Sequence, residues 1–401
     1  MLKAVPAFAA LAGLAAAAMH FAGALKSTPA VAALPVDITV LAALGLLGLL
    51  PLILVGRQWS LSPGIGLPLA GCGALWVWWV LAATWSPWNE GAADRLPEIV
   101  LIGPAMLAAG LVIGGDPTVR RVFLDAVIWL GVFVGASVAW GLATDAVVLG
   151  GEVGADPTRV RVQYQVAGLA IACAAGLVAL RATAAGGWRR IAWFVLLATL
   201  AGAVLLPGGR AAFLALGLTV ALAPALRWVL QGRVGPALVW MALVPLGAAA
   251  ALGILLLDPE RAGDLATLER MRRDTGGVDS ARDILWAEAW RWGGFAGLGP
   301  GGFPPAAGLG QDRGLHPHNH AIEALVEGGA MGLLLWCAAF GGGALFVLSR
   351  LTRVEPDRAA AIVALTLPIA MTAMVSTDLG NRMVWFALGL GLSLGVEARR
   401  V

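Results

Sequence analysis

Apolar runs of about twenty residues recur along almost the whole chain, and a segment of that length and character is at home in a bilayer. Candidate spans fall near residues 4–25, 36–55, 66–85, 97–114, 121–143, 163–181, 190–206, 210–230, 235–257, 320–348, 357–377 and 380–397. This predicts an all-α polytopic membrane protein of about twelve transmembrane helices. Of the 401 residues 59% are hydrophobic and 13% charged, too few polar groups to clothe a water-soluble core. The first segment, with Lys3 ahead of an Ala-rich stretch, has the outline of a secretory signal peptide. The many apolar segments behind it favour an uncleaved first helix.

The basic residues are sorted by side. Lys3, Arg57, Arg120 with Arg121, Arg181 with Arg189 and Arg190, Arg227 with Arg233, Arg350 with Arg353 and Arg358, and Arg399 with Arg400 occupy every second connection. By the positive-inside rule those connections and both termini are cytoplasmic. The intervening ones carry Lys26, Arg95, Arg159 with Arg161, Arg210 and Arg382, and the unbroken alternation implies an even number of helices. A net charge of +3 spread over such clusters encodes topology and argues against a nucleic-acid partner. Cys72, Cys173 and Cys337 all lie in apolar stretches, so they read as small buried hydrophobes and imply no disulfide framework.

The expected organisation is helices 1–9 over residues 1–257, a segment of mixed polarity over 258–319 on the face opposite the basic loops, and helices 10–12 over 320–401. Within the middle segment, Ser280-Ala-Arg-Asp283 has the spacing of a helix N-terminal capping box. Trp286, Trp290 and Trp292 then mark an amphipathic helix suited to the headgroup region. Gly297 to Gly310 is a Gly/Pro-rich connector that follows no strand, so a phosphate-cradling loop is a weak reading of it.

Three groups could carry chemistry. Arg210, in Pro207-Gly-Gly-Arg-Ala-Ala-Phe213, stands at the extracytoplasmic N-terminus of the eighth helix. Helix N–H groups and a bidentate guanidinium there would hold an anion. An interfacial topology anchor is the alternative, and the arginine-poor side on which it lies favours the anion site. Arg282 begins the amphipathic helix, with Arg270, Arg272, Arg273 and Arg291 as nearby competitors and a solvated face charge as the plain reading. His316-Pro-His318-Asn319-His320 holds three of the four histidines. A histidine can take a proton from a hydroxyl near neutral pH. The same cluster could ligate zinc if Glu323 or Glu327 turned toward it, or simply be polar residues at the interface.

These residues carry a resemblance. Gly297-Leu-Gly-Pro-Gly-Gly-Phe303, followed by His318-Asn319, Ile322, Glu327, Gly329 and Gly332, is similar to the Gly-x-Gly-x-x-x-Phe and His-Asn-x-x-Leu…Glu-x-Gly-x-x-Gly signature of the bacterial O-antigen ligase and polymerase superfamily. Ser280-Ala-Arg282 with Trp286 resembles its Ser-x-Arg…Trp element, and Gly209-Arg210-Ala-Ala-Phe213 its Ser-Arg-Gly/Ala element, so the likeness covers about residues 205 to 335. It implies a GT-C-like membrane glycosyltransferase in the bacterial inner membrane, with one large periplasmic segment between helices 9 and 10. The implied reaction is a cofactor-free, metal-independent, inverting transfer on the periplasmic face. The implied partners are an undecaprenyl-diphosphate-linked polysaccharide donor, a lipid A-core acceptor and membrane lipids. Carried over by position, Arg210 and Arg282 would grip the diphosphate and His318 would deprotonate or orient the acceptor hydroxyl. Asn319, His316, Glu327, Trp286 and Asp378 would complete the substrate site.

The chain departs from the family's pattern at its Asp-Pro-Asn element, where Asp156-Pro157 is followed only later by Gln163 and Gln165. A polymerase acting on the same donor shares the arginines and histidine, but the single large extracytoplasmic segment, the paired arginines and the His-Asn motif look most like a ligase; a protein O-glycosyltransferase is a third option, without an extended soluble domain for a protein acceptor. From another class, a polysaccharide-lipid transporter would show internal repeats and ionisable groups at mid-membrane. Here Asp125 is the clearest acid inside an expected span, and the candidate groups gather at one face.

Overall fold

The computed structural model describes residues 7–150, 158–258, 263, 265–273 and 281–400. Lys3, Asp156-Pro157 and the capping residue Ser280 lie outside the described residues. Each of the twelve expected segments contains a helix. Among the described residues, eight helical stretches are long and apolar enough to cross a membrane: Ile38–Val55, Pro63–Trp85, Asn89–Gly115, Pro117–Ala143, Tyr164–Ala184, Arg210–Leu230, Val234–Leu256 and His320–Arg353. Ala7–His20 and Arg382–Gly395 are shorter apolar helices. Gly187–Ala203 and Pro356–Ala373 bring Arg189 with Arg190, and Asp357 with Arg358, into their opening turns. The count of about twelve is not reached among the described residues, where these four helices are shorter or less apolar than the other eight.

Two small strand pairs interrupt the helical plan. Arg57–Leu61 pairs antiparallel with Val396–Arg400, setting Arg57 opposite Arg400 and Gln58 opposite Arg399. Val147–Leu149 pairs parallel with Val160–Val162. The first pair belongs to the basic end of the bundle, where backbone and side-chain bonds join the connections expected on one side. Arg57 Nε lies 2.7 Å from Asp116 Oδ2, and Arg358 Nη2 donates to the carbonyls of Ser393 at 2.5 Å and Val396 at 2.9 Å. Arg227 Nη1 donates to Leu180 O at 2.9 Å at the same end.

Tyr164–Ala184 runs through the centre, packed by Pro117–Ala143, Gly187–Ala203, Arg210–Leu230 and Pro356–Ala373. Its Ala- and Gly-rich sequence lets backbones approach closely, as membrane helix packing requires. Val234–Leu256 is the opposite case: it packs against Arg210–Leu230, and none of its apolar window is buried.

The Gly-rich connector earns its glycines by packing. Helix His320–Trp336 is broken at Gly329, whose φ of 70° and ψ of −171° are non-helical. The connector crosses that break: Leu298 N donates to Val326 O at 3.0 Å, Gly299 N to Glu327 O at 2.8 Å and Ala330 N to Gly294 O at 3.0 Å. Gly297, at φ 72°, faces the backbone of Gly329 and Glu327 with no room for a Cβ. The signature glycines therefore seat one backbone on another.

Candidate active site

At the end remote from the basic loops, three elements converge. Arg210 begins helix Arg210–Leu230, Arg270 comes from the short helix Ala266–Arg273, and Arg282 from Ala281–Trp292. The three arginines line one small pocket of about 50 Å³ together with Tyr164, Gln165, Thr372 and Ser376. The short helix is anchored by Thr267, whose N–H donates to Leu205 O at 3.0 Å and whose Oγ1 donates to Val204 O at 3.2 Å. Arg270 donates to Gly208 O at 3.4 Å and Gly150 O at 3.2 Å, and its guanidinium lies 4.2 Å from the ring centroid of Tyr164. Arg282 and Arg270 are both close enough to act on the charge of Arg210. A second crevice of about 80 Å³ shares Gln165, Thr372 and Ser376 with this pocket and is otherwise largely apolar, with Val166, Leu169, Ile369, Met383 and Val384 in its wall.

The histidine cluster forms the neighbouring wall. Asn319 caps helix His320–Trp336: its Oδ1 accepts from Ala321 N at 3.0 Å and Ile322 N at 3.1 Å, and its Nδ2 donates to Met374 O at 2.8 Å. Trp286 Nε1 donates to Pro317 O at 2.7 Å, which ties the Arg282 helix to the histidine loop. His320 is fully buried, with Nε2 2.6 Å from Asp378 O and Nδ1 accepting from Trp336 Nε1 at 3.4 Å. His316 is buried too, and its Nδ1 accepts from His318 N at 3.1 Å. Burial first, and then the charges of His318, Arg95 and His320, hold its imidazole well below 6.5.

His318 differs from both. It is half-buried, holds a left-handed backbone with φ 54°, and its ring stands 4.0 Å from that of His316. Its Nδ1 is buried and has no hydrogen-bond partner among the described residues. Burial, and next the Arg282 guanidinium, push the pKa of His318 below 6.5, which keeps the ring a neutral proton acceptor.

Beneath the loop lies an ion cluster that sequence reasoning passed over. Arg95 is buried and bonds Glu323, with Nη1 3.0 Å from Glu327 Oε1 and Nη2 3.6 Å from Asp378 Oδ2. Glu323 Oε2 also accepts from Leu379 N at 3.0 Å. Arg95 read as one more loop arginine, yet Glu323 and Glu327 stand four residues apart on one helix face, a spacing that asks for a cation.

Arg210 and Arg282 thus share a pocket, joined by Arg270, which had read only as a competitor. His318 lies close enough to Arg282 for that charge to act on it, whereas Asn319, Trp286 and His316 brace the histidine loop and do not line the pocket. Glu327 is fully buried against Arg95 and does not line the pocket, and Asp378 links Arg95 to the histidines. No group of three His, Cys, Asp or Glu side chains among the described residues is placed to hold a metal ion.

Residues 194–337 match the family model described as O-antigen ligase. No curated protein matches the chain. The matched stretch supplies Arg210, Arg270, Arg282 and the three clustered histidines, whereas Arg95, Tyr164, Ser376 and Asp378 come from outside it. With eight candidate membrane helices among the described residues, the chain reads as a multi-pass membrane protein, and its residues 194–337 are similar to the O-antigen ligase family.

Proposed function

We propose that the protein is an O-antigen ligase that moves a polysaccharide from undecaprenyl diphosphate to a sugar of lipid A-core on the periplasmic face of the inner membrane. The observation that carries this reading is the convergence of three guanidinium groups in one pocket beside a half-buried, neutral imidazole. Like charges held together disfavour an empty pocket and favour an anion in it. Arg210 and Arg282 hold the diphosphate, with Arg270 as a third cation fixed by Tyr164 and two carbonyls. The apolar crevice continuing past Gln165 takes the first part of the polyprenyl chain.

The reaction is a single displacement. The acceptor hydroxyl attacks the anomeric carbon, the bond from that carbon to the diphosphate oxygen breaks, and the configuration inverts. The hydroxyl proton passes to the imidazole of His318, and the electron pair leaves on the diphosphate, where fixed guanidinium groups stabilise it. Asn319, Trp286, His316, Asp378 and Glu327 hold the histidine loop in place. The positive-inside pattern supports the periplasmic side for this end of the bundle.

Purified protein given a lipid-linked glycan donor with either lipid A-core or a second donor molecule tests the proposal. Transfer to lipid A-core is expected, and its loss in Arg210→Ala and His318→Ala at unchanged membrane yield supports the assigned roles. Growth of glycan only on the second donor would make the protein a polymerase, and full transfer by both variants would remove the site altogether.

A further inference from the structure

A crevice lies at the basic end, away from the candidate active site. It encloses about 530 Å³ where the ends of Tyr164–Ala184, Gly187–Ala203 and Arg210–Leu230 meet the start of Val234–Leu256. Three arginines, Arg190, Arg227 and Arg233, line it against one carboxylate, Asp357. Arg227 is engaged: Nη1 donates to Leu180 O at 2.9 Å and lies 3.8 Å from Asp357 Oδ1, and Nη2 donates to Thr183 Oγ1 at 3.0 Å. Arg190 donates only Nε, to Ala185 O at 2.8 Å, and Arg233 makes no hydrogen bond among the described residues. Two guanidinium ends therefore remain available to an anion in the crevice.

The remaining wall is aromatic. Trp240 is held by Nε1 donating to Val220 O at 2.9 Å, and its ring stands 6.2 Å from Phe194 and 6.0 Å from Trp228. Trp240 belongs to Val234–Leu256, the helix with none of its apolar window buried, so an exposed apolar helix face adjoins the crevice. A free phosphate would satisfy the arginines and leave this wall bare. A phosphodiester with an acyl chain attached would match both.

We propose that this crevice is a binding site for an anionic phospholipid, its phosphate held by Arg190 and Arg233 and its chain laid on Trp240 and Phe194. Cationic pockets between membrane helices at the basic side are physically suited to such headgroups. The site is independent of the glycosyl-transfer reading, since none of its residues belongs to the other end.

Native mass spectrometry of the full-length protein in detergent tests it, with phosphatidylglycerol, phosphatidylcholine and inorganic phosphate as probes. One phosphatidylglycerol is expected to bind at least about tenfold more tightly than phosphatidylcholine, and Arg190→Gln with Arg233→Gln is expected to abolish that preference. Both arginines are exposed, so the double variant should fold, and unchanged monodispersity checks this. Trp240→Leu is expected to weaken both lipids together. Equal retention of phosphatidylglycerol by the double variant overturns the proposal, and so does displacement of the lipid by inorganic phosphate at matched concentration.

Discussion

Replacing Arg95 by methionine would leave Glu323 and Glu327 fully buried with no cation between them, and Asp378 without its partner at 3.6 Å. Breaking a buried ion pair by removing one member costs about 3–5 kcal/mol, because the remaining charge stays desolvated. With three carboxylates on one guanidinium, the upper part of that range applies, which is a third or more of a typical folding free energy of roughly 5–15 kcal/mol. If uncompensated charge is the cause, Arg95→Met combined with Glu323→Gln and Glu327→Gln should regain most of the loss, since neutral amides tolerate burial far better. The assay is the monodisperse fraction surviving a heat challenge in detergent, compared across wild type, the single variant and the triple variant. A single variant as heat-resistant as wild type, or a triple variant no better than the single, would refute the argument.

Arg282→Lys should lower turnover by about 10²–10³-fold, the usual cost of losing one preorganised donor at developing charge, because an ammonium cannot copy the bidentate fork; near-normal turnover in the transfer assay would count against its role. The acid limb of the pH–rate profile should lie below 6.5, because burial and Arg282 favour the neutral, proton-accepting form of His318. Arg282→Gln removes one of those causes and should raise the limb's midpoint, and a midpoint that stays or falls contradicts the assignment. Gly329→Ala places a Cβ against the Phe295 carbonyl at φ 70°, so a loss of about 1–3 kcal/mol is expected in thermal unfolding. Treatment with EDTA should leave transfer unchanged, and activity lost and then restored by one divalent ion would revive a metal role for the histidines.

Much of the fold was legible because bilayer physics writes it in long runs. Apolar length located the helices, and basic residues marked the connections that the structure gathers at one end, down to Arg57 paired across from Arg400. Helix ends were less legible, since Gly187–Ala203 and Pro356–Ala373 carry charges where a letter count expects span. Within the site, Arg210 and Arg282 stood out through their place on the arginine-poor face and in the family motifs. Arg270 did not, because its position depends on Thr267 binding the Leu205 backbone and on Tyr164, some hundred residues away in the chain. Arg95 was hidden for the same reason: its partners Glu323 and Glu327 are more than two hundred residues distant. Three histidines in five residues look alike as letters, and only packing separates them, burying His320 against Asp378 and leaving His318 half-exposed.

The left-handed backbone of His318 connects these observations. A non-glycine residue there costs of order 1–3 kcal/mol and persists only where its surroundings over-determine it. Four contacts do so here: the Asn319 cap on one side, Trp286 bonded to Pro317 on the other, the His318 N–H donated to His316, and Asp378 held by Arg95 below. A cap alone contributes about 1 kcal/mol, so together these contacts can hold a strained residue that none of them would hold singly. All four use residues that read, from the resemblance alone, as substrate ligands. The geometry supports a different division of labour, in which most of the motif fixes one imidazole beside three guanidinium groups and few of its members need touch substrate.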